Sequence, residues 1–102
     1  MKADVYLLLE DHIPLFKECI AIWGEAPQMM MIIEEMSELT KEVCKYFRGN
    51  KNQYEIMDET CDVLIMVMQL MVVMEFNNID FCNHMNKKLQ RIAERLNKAG
   101  DK

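Results

Sequence analysis

Gln28-Met29-Met30-Met31-Ile32-Ile33-Glu34-Glu35-Met36-Ser37-Glu38-Leu39 opens a run of residues, 28–47, that holds neither glycine nor proline. Its apolar residues recur at helical spacing. At about 100° per residue from Glu34, the side chains Met29, Ile32, Ile33, Met36, Leu39, Val43, Cys44 and Phe47 fall between about 140° and 280°. Glu34, Glu35 and Glu38 fall between 0° and about 100°, opposite that stripe. The pattern predicts an amphipathic helix from about Pro27 or Gln28 to Phe47 with three carboxylates grouped on one face. Gly24 and Pro27 mark its start, and Arg48-Gly49-Asn50-Lys51-Asn52 its end.

Outward from this helix the chain reads as three more. A preceding helix has Ile13, Phe16, Ile20 and Trp23 at helical spacing, with Asp11 as a cap, Pro14 in its first turn and Gly24 as its stop. Residues 1–9, with the apolar Val5-Tyr6-Leu7-Leu8-Leu9, are either an N-terminal extension or the start of that helix. A following helix runs from about Gln53 to Met74 or Glu75. With Glu55 as zero, Glu59 lies at about 40° and Asp62 at about −20°, again one face. Beyond Asp62 the segment from Val63 to Met74 is apolar on all sides apart from Gln69, which predicts burial all round. A last helix, capped by Asn78 or Asp80 and ending near Gly100, has Phe81, Met85, Leu89, Ile92 and Leu96 on its apolar face. Lys88, Arg91, Arg95 and Lys98 form a basic stripe on it, within about 100° of Lys87. The expected fold is all-α: one domain over 1–102, a four-helix bundle with its core at about 12–98.

A chain of 102 residues allows one modest core, yet 51% of it is hydrophobic and 11 residues are methionine. The surplus, with the all-apolar segment, predicts an obligate homo-oligomer with that segment in the interface. The net charge of −5 disfavours nucleic acid and anionic membranes as partners. It divides unevenly, with residues 1–75 holding 6 Lys/Arg against 14 Asp/Glu and residues 76–102 holding 6 against 3. An acidic body with a basic tail suits an anionic substrate that arrives with a cation. No stretch has the roughly 20 apolar residues of a membrane span. Cys19, Cys44, Cys61 and Cys82 lack zinc spacing and read as buried, reduced thiols of a cytoplasmic protein.

Carboxylate faces are usually just solvated, but these are strained. Glu34 and Glu38, and Glu55 and Glu59, are like charges one turn apart, costing a few tenths of a kcal/mol each. Lys41 and Lys45 partly offset the first pair, whereas no Lys or Arg lies between Gln53 and Glu75. A hard divalent cation, which takes oxygen ligands, is the fitting counter-charge.

Glu34-Glu35-x-x-Glu38, then 20 residues, then Glu59-x-x-Asp62, resembles the EExxE–ExxD signature of the MazG-like superfamily of all-α nucleotide pyrophosphohydrolases. Trp23-Gly24, Gln28, Val63-Leu64 after Asp62 and the basic last helix fit the same resemblance, which covers roughly residues 12–98. The resemblance implies Mg²⁺-dependent hydrolysis of a nucleoside triphosphate to the monophosphate and pyrophosphate, with Mn²⁺ as a substitute metal, in homodimers or dimer-of-dimers tetramers. Glu35, Glu38, Glu59 and Asp62 would hold the metal. Glu34, Glu35 and Glu38 would form the catalytic set, with Glu34 a supporting residue, a ligand to a second metal or an aid to orienting water. Lys88, Arg91 and Arg95 either clamp phosphates or form a solvated face, Gln28 is placed to contact a base, and Trp23 either stacks on that base or fills the core. Glu55 shares the acidic face but lies outside the signature. Nucleotide-pool housecleaning is the leading expectation. Phosphoribosyl-ATP pyrophosphohydrolase, or a non-catalytic helical module whose acidic faces bind a basic partner, are the alternatives.

Overall fold

Asp4 starts the first helix: its Oδ1 accepts from the backbone N–H of Tyr6 at 3.0 Å and of Leu7 at 3.2 Å, satisfying two donors that have no partner within the helix. The computed structural model describes residues 3–100, and every regular element among them is an α-helix: α1 (Val5–Asp11), α2 (Ile13–Trp23), α3 (Glu25–Phe47), α4 (Gln53–Val73) and α5 (Asn78–Gly100). Val5-Tyr6-Leu7-Leu8-Leu9 is thus a helix of its own, and Asp11 ends it instead of capping the next. The break falls at His12 because Pro14, in a continuous helix, would clash with the carbonyl of Glu10. Placed in the first turn of a new helix, proline costs nothing.

Gly24 makes the whole turn from α2 to α3. Its φ of 94° and ψ of 155° lie in a region open essentially to glycine alone. Its N–H donates to the Ile20 carbonyl at 2.8 Å and its carbonyl accepts from the Gln28 N–H at 3.3 Å. Helix α3 therefore begins at Glu25, ahead of Pro27, whose missing N–H falls in the first turn where none is needed.

Helices α3 and α4 form an antiparallel hairpin, the most extensive packing in the chain, and α2 lies against both. Asn52 ties the hairpin's turn. Its Nδ2 donates to the Glu42 carbonyl at 2.8 Å and to Glu42 Oε2 at 3.2 Å. Phe16 and Met66 are the buried apolar residues of this small core. After α4 the chain turns at Glu75, in the left-handed region at φ 53°. Asn77, one residue before the expected candidates, caps α5 by accepting from the N–H of Ile79 at 2.9 Å and of Asp80 at 3.2 Å.

The face that α3 packs inward differs from the one its apolar stripe suggests. Gln28, Ile32, Glu35, Leu39, Glu42 and Val43 are buried or half-buried and span about 80° to 180° in the frame set by Glu34. Ile33, Met36 and Phe47, on the far side of the stripe, are 66%, 52% and 81% exposed. Within the single chain α4 is buried on one side, and the rest of the apolar segment is left for the subunit interface that the sequence reading expects to cover it. Met66 and Gln69 are buried, but Leu64, Ile65 and Met74 keep 36–52% of their surface. The cysteines correct the sequence reading too: Cys19 is half-buried, and Cys44, Cys61 and Cys82 are exposed free thiols.

Helix α5 does not join the packing of α2–α4 within the chain, and residues 82–100 are exposed throughout. The radius of gyration is 16.8 Å where a compact chain of this length has about 13 Å. The accessible surface of 8620 Å² exceeds the roughly 6,000 Å² of a compact monomer of this mass. Among the described residues no helix is long and apolar enough to cross a membrane.

Candidate metal centre

The acidic face of α4 is also its packing face. In the frame set by Glu55, Glu59 and Asp62 lie at about 40° and −20°, while Met66, Leu70 and Val73 lie at about 20°, 60° and 0°. The stripe that is core in the second half of α4 is carboxylate in the first, and the hairpin turns it toward α3. Glu35 meets it there because it stands on the inward side of α3.

One carboxylate oxygen each from Glu35, Glu59 and Asp62 lies within 4.8 Å of the other two, and all three side chains are half-buried. Partial burial, then the charges of Asp62 and Glu59, then a hydrogen bond with Asp62 that favours the protonated form, and last the Glu38 charge push the Glu35 carboxyl above its ordinary value. Partial burial and then the charges of Asp62, Glu38, Asp58 and Glu42 do the same to Glu59. Outside this group Glu42 is held below the usual range, chiefly by the Asn52 hydrogen bond and also by Lys45, whose Nζ lies 3.3 Å from Glu42 Oε1.

Three carboxylates gathered without a cation repel one another. Three all-oxygen ligands converging from two helices are the donor set of a hard divalent ion such as Mg²⁺, and they suit thiophilic metals poorly. The residues present therefore fit the metal that the sequence pattern suggests.

Of the four expected ligands, the fold gathers Glu35, Glu59 and Asp62. Glu38 is exposed outside the trio, near enough for its charge to act on Glu35 and Glu59. Glu34 and Glu55 are exposed. Trp23 and Gln28 come to the same place, lining a cavity of about 200 Å³ that also touches Glu35 and Asp62. Trp23 is 61% exposed, so it does not fill the core. Lys88, Arg91 and Arg95 lie on exposed α5 and do not border the cavity. Gln69, the one polar residue in the apolar segment from Val63 to Met74, has no site role in the sequence reading. It is 4% exposed and lines the cavity. Compared with family models, with curated proteins and with solved structures, the chain matches none.

Proposed function

We propose that the chain is a Mg²⁺-dependent nucleoside triphosphate pyrophosphohydrolase acting on surplus or non-standard nucleotides, as its resemblance to the MazG-like superfamily implies. The observation that supports this best is the convergence of Glu35, Glu59 and Asp62 within 4.8 Å on a hairpin whose second helix has no basic residue. These three residues, with Glu38 beside them, would hold the ion. When bound, the metal offsets charge on the phosphate chain and acidifies a coordinated water. A neighbouring carboxylate serves as proton acceptor for that water. Trp23 and Gln28, at the other side of the cavity, are set to position the nucleoside, so that the phosphates extend toward the acidic trio.

The assembly is a homodimer or a dimer-of-dimers tetramer. The support is the roughly 2,600 Å² by which the chain's surface exceeds that of a compact monomer, about 5,200 Å² for a pair, the size of the larger obligate interfaces. A second copy would cover the apolar face of α5 and complete the bundle, bringing its basic stripe to the phosphates.

The test is pyrophosphate release from a panel of nucleoside triphosphates and phosphoribosyl-ATP, with Mg²⁺ and with EDTA. Mg²⁺ is expected to support turnover and to raise the Tm; at a hundred times its Kd it adds about 2.7 kcal/mol. Asp62→Asn and Glu59→Gln are each expected to abolish the shift and to lower kcat/KM by about 100-fold or more, at least the loss seen when residues merely supporting a metal are removed. Absence of both Mg²⁺ stabilisation and turnover would leave the acidic faces as a protein-binding surface. Activity confined to phosphoribosyl-ATP would replace housecleaning with histidine biosynthesis.

A further inference from the structure

Helix α3 has two unlike long faces. Its buried side carries Gln28, Ile32, Glu35 and Leu39. On the opposite side Met30, Ile33, Ser37, Thr40, Cys44 and Phe47 are all exposed. These six follow one another at 3, 4, 3, 4 and 3 residues. That is the spacing of a coiled-coil seam, kept up over roughly 26 Å of helix. At its middle Ile33, Met36, Ser37 and Thr40 line an open groove of about 390 Å³. The two hydroxyls there are already bonded within the helix. Ser37 Oγ donates to the Ile33 carbonyl at 2.9 Å and Thr40 Oγ1 to the Met36 carbonyl at 2.8 Å. Both can be covered without stranding a donor, and small side chains at a crossing let two helix axes approach closely.

The spacing reads the same in both directions. An antiparallel copy of α3 therefore falls into register about a twofold axis. Met30 lies against the partner's Phe47, Ile33 against the partner's Cys44 and Ser37 against the partner's Thr40. On the flank of the seam Glu34 comes level with the partner's Lys41, to within roughly 3 Å along the axis. The symmetry makes this opposite-charge pair twice. Helix α5 has a seam of the same spacing, from Cys82 to Ala99, but it suits α3 less well. Laid parallel in register, it sets Lys88 and Arg95 beside Lys41 and Arg48, which are like charges. Laid antiparallel, it leaves Glu34 and Lys41 facing Ala93 and Asn86.

We propose that the outward face of α3 is a docking surface for α3 of a second copy, an antiparallel twofold seam whose register Glu34 and Lys41 fix. It lies apart from the α5 face that the assembly above buries, so a chain using both faces forms a dimer of dimers. Glu34, which stands outside the acidic trio, is then tied to the partner's Lys41 and not to the metal. The docking surface rests on the assembly reading only in needing a second copy, and not on the activity.

Ile33→Cys in the full chain tests the register, because it sets a thiol against the partner's Cys44 within reach of a disulfide. Mild oxidation is expected to convert most of this variant to a covalent dimer on a non-reducing gel. Adding Cys44→Ser should abolish the cross-link, whereas adding Cys61→Ser or Cys82→Ser should leave it. Lys41→Glu is expected to raise the dissociation constant, read by analytical ultracentrifugation, by about fivefold or more. Glu34→Lys/Lys41→Glu should bring it back to within about twofold of wild type. Ile92→Lys, which spoils the α5 face alone, should leave a dimer in which Ile33→Cys still cross-links through Cys44. An oligomer that neither cross-links through Cys44 nor responds to Lys41→Glu overturns the inference and leaves the assembly resting on α5. Efficient cross-linking of Ile33→Cys/Leu96→Cys in a Cys44→Ser background puts α5 on the seam and overturns it as well. A wild-type monomer removes both the inference and the assembly. The pyrophosphohydrolase reading is decided by pyrophosphate release and survives each of these failures.

Discussion

Glu35 and Glu59 bind protons more tightly in the folded chain than in the unfolded one, since partial burial and neighbouring charges raise both above the ordinary 4.5. Folding therefore takes up protons. The stability this lends is fully present below 4.5 and is lost as the pH rises through the raised folded values. Mg²⁺ held by these carboxylates would require their ionised forms, so its presence is expected to oppose the loss. In EDTA the Tm of the wild-type chain, relative to a Glu35→Gln/Glu59→Gln variant, is expected to fall as the pH rises through this window. With Mg²⁺ the difference should rise instead. Thermal melts on both proteins check it, and the subtraction cancels the ordinary carboxylates. At this scale the gathering of Glu35, Glu59 and Asp62 was legible. The spacing of Glu59 and Asp62 and the missing lysines on their helix predicted a cluster in need of a cation. The burial of Gln69 in the cavity wall was not legible, since one amide in an apolar run gives no sign of where it faces until α3 and α4 are paired.

At the scale of elements, Gly24 is the position where the backbone leaves least choice. Gly24→Ala places a Cβ 3.5 Å from Pro27 Cδ at a φ of 94°. It is expected to lower stability by about 1–3 kcal/mol, measured by urea denaturation. It should also raise KM more than it lowers kcat, because Trp23 is the residue before it and the cavity would lose its rim. Helix existence and order could be read from the chain because periodicity, glycine and proline agree. Two features could not. The short apolar run at Val5 fits a helix or an extension equally well, and only Asp4's hydrogen bonds decide. The inward face of α3 was misjudged for a physical reason: a carboxylate face is assumed to seek water, yet here Gln28, Ile32, Leu39 and Val43 pack inward, which carries Glu35 on the same side toward α4 and leaves Ile33 and Met36 outward.

For the whole molecule, the uncovered apolar side chains carry the prediction. Ile33 and Met36 on α3, and Leu89, Ile92 and Leu96 on α5, are all at least half exposed. Light scattering is expected to give a dimer or tetramer at micromolar concentration. Met36→Lys/Ile92→Lys is expected to shift it toward monomer and to lower the Tm, since a buried charge in such an interface costs several kcal/mol. A wild-type monomer would contradict the assembly.

The hairpin of α3 and α4 also has a consequence in time. It joins successive helices through a short turn, so the most extensive packing in the chain is also made between sequence neighbours, and such contacts close early on the way to the native state. The acidic trio meets across that hairpin. Its repulsion therefore belongs to the folding barrier, and a cation that relieves it acts as a nucleating agent. Mg²⁺ should accelerate refolding as well as slow unfolding, visible as an upward shift of the folding limb of a chevron that Asp62→Asn abolishes.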